Sequence, residues 1–262
     1  MSLNTAGPRT PKFPTHGFAD WQLRLVDVTL VRTALDVGCG AGHMASALRA
    51  RMPWTSSLTV VDLDPAAVHA TVARVRGPWG GLASVDRLPF AAGSFGIVIA
   101  NHLLASVPNL AASLGELRRV LSPDGVLLAS APSEHSAREF LDLHVAACRS
   151  AGLVEMADRA KLPRAALRFS LENGAESLRV AFGSVTVHER DDTLAFGAIE
   201  PAMILYTGGL HTRGAIGLES QQDVTELAET LRPHMQVLLE RVLAAQGQIV
   251  ISRRAGCFIA RP

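Results

Sequence analysis

Several things are scarce in this 262-residue chain, and each scarcity excludes something. Cysteine occurs three times, at Cys39, Cys148 and Cys257, with no CxxC pair. A disulfide framework and a cysteine-based zinc site are therefore not expected, and a reducing, cytoplasmic setting is. An excess of one charge is lacking too: 25 Lys+Arg face 24 Asp+Glu, which argues against a general electrostatic grip on nucleic acid. No apolar run approaches the roughly 20 residues that a membrane helix needs, so no membrane partner is expected. His43, His69, His188 and His234 have no companions at metal-ligand spacing, and no metal is expected. Lysine is confined to Lys12 and Lys161. With every other basic residue an Arg and much Ala around them, this reads as a coding bias, and no single Arg stands out. There is no internal repeat and no low-complexity tract.

What the chain does have is 48% hydrophobic and 19% charged residues, enough for a substantial core. Residues 1–17, with Pro8, Pro11 and Pro14 and no apolar stretch, read as a flexible leader rather than a signal peptide. From there short apolar runs alternate with helical patterns. A helix is expected over Asp20–Leu30, strands at Thr33–Val37 and Leu58–Asp62, and a helix opened by Pro65 that runs to about Arg76. Gly77–Gly81 reads as a turn, followed by a short strand near Ala83–Val85, a strand from Phe95 and an amphipathic helix from Leu110 to Leu121. Ser122–Gly125 reads as a turn before a strand from Val126. Strands apolar on both faces and alternating with helices predict a parallel sheet covered on both sides, with ligands bound beyond the carboxyl ends of its strands.

After Ala131 the rhythm changes. Helices are expected over Arg138–Ala151, Ser170–Ala181 with Ser170 as N-cap, and Pro201–Tyr206. A helical pair broken or kinked at Pro233 follows. Short strands are expected on either side of Asp191-Asp192, and two more close the chain.

The strongest local feature is Leu35-Asp-Val-Gly-Cys-Gly-Ala-Gly-His. A strand enters, Gly38, Gly40 and Gly42 turn the chain, and a helix leaves, so backbone amides approach a ligand closely. Asp62 ends the next strand, 22 residues past Gly40, near the spacing at which an acidic residue meets ribose hydroxyls. Turn punctuation or a dinucleotide site would also use such glycines, and Asp62 could simply cap the next helix. Cys39 reads as a small residue in a tight turn.

LDVGCGAG, VVDLDP, DRLPFAAGSFGIVIANHLLASVPN and LRRVLSPDGVLLAS, in that order, resemble a class I S-adenosylmethionine-dependent methyltransferase of the small-molecule type found in ubiquinone and menaquinone biosynthesis. The resemblance is strongest over about Phe18–Ala131. It implies an α/β, Rossmann-like seven-stranded, mostly parallel sheet with an antiparallel last strand, helices on both faces and a C-terminal helical cap insertion. A single domain over 18–262 is implied, with a donor-binding core at 18–132, an acceptor and cap region at 133–247, and closing strands at 248–262. The implied cofactor is S-adenosyl-L-methionine. Asp36 and the backbone of Gly38, Cys39 and Gly40 would flank its methionine end. Asp62 would take the ribose hydroxyls and Leu63 would pack on adenine. Ser84, Val85 and Asp86 would form the adenine rim, and Asn101 and His102 the methionine side.

Three positions depart from the family pattern. Ser84 stands where relatives carry an Asp, Gly96 stands where an Asp follows the Phe of the fourth strand, and Ala105-Ser106 replaces a His pair. His102 and His135 are the candidate bases, with Glu134 beside the latter, and Tyr206 is read mainly as packing. The leucine-, alanine- and phenylalanine-rich stretch from 133 to 215 predicts a small, partly apolar acceptor, with the protein a monomer or homodimer. A nicotinamide-dependent enzyme is disfavoured by the order of these motifs, and two alternatives remain open. One is carboxyl methylation of a carrier-protein-bound acid, with Arg164, Arg168, Arg179, Arg213, Arg253 and Arg254 as docking candidates. The other is a non-catalytic donor-binding sensor.

Overall fold

In the computed structural model, residues 17–161, 169–208 and 221–262 are described; residues 1–16, Arg164, Arg168 and Arg213 lie outside them. The elements, in chain order, are α1 (Phe18–Gln22), β1 (Thr33–Val37), α2 (His43–Arg49), β2 (Ser57–Asp62), α3 (Pro65–Arg74), β3 (Trp79–Leu82), β4 (Phe95–Asn101), α4 (Leu110–Val120) and β5 (Leu121–Pro132). Then come α5 (Arg138–Ser150), α6 (Val154–Lys161), α7 (Gly174–Arg179), β6 (Ser184–Phe196), α8 (Ile199–Gly208), α9 (Gln221–Gln246) and β7 (Ile249–Arg261).

The seven strands form one sheet in the order β3-β2-β1-β4-β5-β7-β6. Pairings from β3 to β5 are parallel, and β7 runs antiparallel to β5 with Ala129 opposite Phe258. The central strands are apolar on both faces because both faces are covered. Leu35, Val61, Val98, Leu114 and Leu127 belong to one core, and Ala34, Leu48, Val60, Ile99 and Leu128 to another.

Contacts group the described residues into two compact units, one of 17–134, 169–190 and 255–262, the other of 135–161, 191–208 and 221–254. The second has its own core, in which Phe140 of α5, Met203 and Tyr206 of α8, and Leu231, Met235 and Leu239 of α9 are buried.

Several elements differ from the sequence reading for identifiable reasons. The first helix stops at Gln22 instead of Leu30. Trp79-Gly-Gly-Leu is a strand, not a turn: a Cβ on Gly80 would lie 2.5 Å from the Val72 side chain, so Gly80 lets β3 approach α3. α7 is shorter than expected, and its N-cap is Asn173, whose Oδ1 accepts the Ser170 N–H at 2.8 Å. Ser122–Gly125 and Asp191-Asp192 stay within strands, and β7 closes the chain as one strand, not two. Pro233 does not break α9. Proline is on its exposed side, while Leu231, Met235 and Leu239, four residues apart, bury a continuous stripe; the lost hydrogen bond falls where water replaces it.

Candidate active site

The order of the sheet reverses between β1 and β4, which have their other parallel neighbours on opposite sides. Such a switch point opens a crevice at the carboxyl ends of the strands. The glycine turn lies at its floor. Gly38 and Cys39 donate their N–H groups to the Val61 carbonyl at 2.8 and 3.2 Å, tying the loop to β2. Gly38, Gly40 and Gly42 have φ of 70°, 50° and 76°, which a side chain rarely tolerates. At Gly42 space is lacking as well, since a Cβ would sit 2.8 Å from Thr71 Oγ1. Thr71 in turn donates to the Gly40 carbonyl at 2.9 Å, so α3 holds the loop from outside. A Cβ at Gly40, by contrast, would meet nothing within 4 Å.

Two carboxylates flank this loop. Asp36, on β1 between Val60 and Ile99, is buried to 1% exposure, and its Oδ2 has no hydrogen-bond partner. Burial, reinforced by the Asp62 charge, pushes its pKa up to about 7 despite a hydrogen bond from the Ala45 backbone. A buried acceptor left unpaired is costly, and a cationic ligand is the partner such a group accepts. Asp62 accepts from Gly40 N–H at 3.0 Å with Oδ2 and from Asp64 N–H at 3.0 Å with Oδ1. The cap of α3 is made by Asp64, which accepts from Ala66 N–H at 2.9 Å. Asp62 is therefore not spent on capping that helix.

Beside Asp62 the surface is apolar and open: Leu63 is 72% exposed, and Leu82, in register with Asp62 on β3, is 60% exposed. Val85 is buried, and the Ser84 carbonyl accepts from Arg87 N–H at 3.1 Å, forming a tight turn that includes half-buried Asp86. The loop beyond is clamped by α4. Glu116 accepts from Leu88 N–H at 2.7 Å, while Arg119 donates to the Phe90 and Leu88 carbonyls at 2.6 and 2.9 Å. Arg119's hydrogen bonds hold the Glu116 carboxyl below its ordinary range against the effect of burial. Gly96 donates its N–H to Thr33 Oγ1 at 3.0 Å.

At the end of β4, Asn101 is half-buried and His102 exposed. His102 has φ of 51° and its ring lies 5.3 Å from that of Phe18. The Asn101 amide is engaged with α1 and β5, exchanging two 2.8 Å hydrogen bonds with Gln22 and accepting from Ser130 Oγ at 2.9 Å. Gln22 was not singled out in the sequence, where it looks like one polar helix residue among others.

The crevice residues fall in one unit and His135 in the other. There His135 lines a cavity of about 420 Å³ with Asp191, Asp192, Thr193, Ser252, Arg253 and Arg254. Arg254 lies 3.7 Å from Asp191, and Ser252 donates to Glu139 at 2.9 Å. Glu134 accepts from Ser170 Oγ at 3.2 Å. Tyr206 is buried, its hydroxyl 2.7 Å from His144 Nδ1, and His144 Nε2 is 3.5 Å from the Cys148 sulfur. Burial raises the pKa of all three thiols, those of Cys148 and Cys257 to about 11, which opposes thiolate chemistry.

Residues 35–129 match the family model described as a methyltransferase domain. Over that segment the chain is similar to methyltransferase domains. A malonyl-[acyl-carrier protein] O-methyltransferase of Methylovorus sp. (strain MP688) is 34% identical over 110 residues, covering 38% of this chain and 36% of that protein. The Erwinia pyrifoliae protein of the same name is 28% identical over 199 residues, covering 74% and 70%. The chain thus spans about a third of the length of the first relative. Among solved structures, a putative methyltransferase of Bacillus halodurans C-125 aligns with a TM-score of 0.57 at 15% identity, covering 93% of this chain and 98% of that one. The [4+2]-cyclase SpnF aligns with a TM-score of 0.54 at 16% identity, covering 93% and 80%. These likenesses concern the fold.

Proposed function

We propose that the chain transfers a methyl group from S-adenosylmethionine to a small, partly apolar acceptor in the cytoplasm. The observation that carries this reading is the unpaired, buried Asp36 Oδ2 beside a glycine loop and a second carboxylate, Asp62, next to an open apolar surface. These residues fit the donor. Asp36 would hold a cationic part of its methionine end, Asp62 the ribose hydroxyls, Leu63 an adenine face, and the Ser84–Asp86 turn the adenine rim. Bound there, the donor supplies a methyl group on a sulfonium whose positive charge already activates the leaving sulfide. What remains for the protein is alignment and exclusion of water. The glycine loop, fixed by Val61 and Thr71, and the clamped 88–90 loop supply rigidity. We assign to His102, whose ring lies beside Phe18 at the crevice, the removal of a proton from a protonated acceptor; His135 belongs to the other unit and is given no role at the crevice.

A second acceptor, the carboxyl group of a carrier-bound acid, is favoured by the names of the curated relatives. A carboxylate is already ionised at neutral pH and needs no base. Titration of the purified chain with S-adenosylhomocysteine and NAD tests the donor: binding of the former is expected, and preference for NAD would overturn the reading. Turnover on a panel of phenolic, amine and carrier-bound carboxyl acceptors separates the two acceptors, and a protein that binds donor but methylates none of them would be read as a sensor.

A further inference from the structure

Gln22 is fully buried although it is a polar residue on the short helix α1. Its Nε2 donates to Asn101 Oδ1 at 2.8 Å, its Oε1 accepts from Asn101 Nδ2 at 2.8 Å, and Nε2 also lies 3.4 Å from the Cys257 sulfur. One side chain of α1 is thus hydrogen-bonded to the end of β4 and to β7. The network continues into the crevice. Ser130 Oγ donates to Asn101 Oδ1 at 2.9 Å and accepts from the His102 N–H at 3.2 Å, while the Ser130 carbonyl takes the same N–H at 3.0 Å. These bonds hold His102 in the left-handed region, an uncommon state for a residue with a side chain. Next to His102 in sequence, the Leu103 side chain lies 3.1 Å from where a Cβ on Gly38 would be. The end of β4 and the glycine loop are therefore neighbours, and what fixes one borders the other.

α1 meets the same place with its rings. Phe18 lies 5.2 Å from Trp21 and 5.3 Å from His102, and the Arg190 guanidinium stands 5.8 Å from the Trp21 ring. Outside this row, Asp20 pairs with Arg51 at 2.6 Å, half-exposed and of small energetic weight. The helix is five residues long, too short to persist by its own backbone bonds, so side-chain contacts must keep it in place. Among the described residues, the reciprocal amide pair gives a fully buried side chain of α1 two directional bonds at 2.8 Å.

We infer that Gln22 is a positioning residue: its pairing with Asn101 latches α1 against the end of β4, and the latched helix retains the methyl donor and sets the backbone of His102. This rests on the donor reading above. No bond is made or broken by Gln22 itself; it acts through Asn101 and Ser130.

Gln22→Met keeps length and apolar volume while removing both amide bonds. Two readouts apply, on the full chain. In ligand-free protein, hydrogen exchange of the 17–25 segment should accelerate by about tenfold while exchange within β1 and β5 stays unchanged. With S-adenosylhomocysteine, dissociation followed through Trp21, in a Trp54→Phe/Trp79→Phe background, should accelerate by a similar factor with little change in association rate. Asn101→Leu should do the same, and the double variant should add little, because both remove one pair. Additive effects, unchanged exchange, or faster exchange with an unchanged dissociation rate would each overturn the inference. If Gln22→Met does not fold, Asn101→Leu and Ser130→Ala read the same network from its other side. Absence of S-adenosylhomocysteine binding in the parent protein is a different result, and sinks the donor reading itself.

Discussion

Polar groups in the unit of α5, α8 and α9 are used differently from those around the glycine loop. In the unit of α5, α8 and α9 they are spent on one another: His144 is held between the Tyr206 hydroxyl and the Cys148 sulfur, and Glu139 Oε2 takes both the N–H and the hydroxyl of Ser252. At the crevice, Asp36 keeps an unpaired oxygen, Gly40 faces space, and Leu63 and Leu82 stand in solvent. The first arrangement supports the fold. The second costs stability, and the cost is offset only when something binds. The contrast separates residues that hold the molecule together from residues reserved for a ligand, though the sequence shows both kinds simply as polar groups among apolar ones.

Substitutions should divide along the same line. His144→Ala removes a buried ring and two partners at once, and should destabilise by about 3–4 kcal/mol in denaturant unfolding while leaving S-adenosylhomocysteine affinity unchanged. A matching loss of affinity would erase the distinction. Gly42→Ala combines a left-handed φ with the Thr71 contact and should cost about 2–3 kcal/mol by thermal unfolding. Asp62→Ala should raise the dissociation constant for S-adenosylhomocysteine about thirtyfold, measured by calorimetry, with a smaller effect on melting.

Asp36 is expected to move stability the opposite way. Because its folded pKa is about 7 against an ordinary 3.8, the folded state binds the proton more tightly than the unfolded one. Ligand-free stability should be greatest below about pH 4 on this account, fall as pH rises toward 7, and level off above; the span is at most on the order of 4 kcal/mol. Asp36→Asn should flatten that slope and stabilise the empty protein at pH 8 while weakening donor binding. A variant that retains the slope would show that another group is responsible. The smallest effect is expected at Glu116→Gln, less than about 1 kcal/mol for a partly exposed pair, with adenosine-side affinity reduced slightly through the 88–90 loop.

The central strands and the glycine loop were legible because Ile97–Ala100 and Val126–Ala129 are unbroken apolar runs and a turn of three glycines leaves few alternatives. The misreadings came from residues whose role depends on a neighbour. Gly80 looks like part of a turn until Val72 is seen against it, and Pro233 looks like a break until the buried stripe on the opposite face is traced. Asp191-Asp192 resembles a hairpin tip, yet it runs through β6, with Asp191 close to Arg254. Asp62 could be recognised by its spacing, whereas its freedom from helix capping required the geometry of Asp64. Gln22 carried no signal, since only its partner 79 residues away identifies it.

The unpaired oxygen of Asp36 also leaves a mark on the heat of binding. Near pH 7 the empty crevice holds roughly half a proton on that carboxyl, and a cation arriving beside it drives that proton into the buffer. Titrations in phosphate and in Tris, whose ionisation heats differ widely, would then give different apparent enthalpies for one and the same affinity. The difference counts the displaced protons directly.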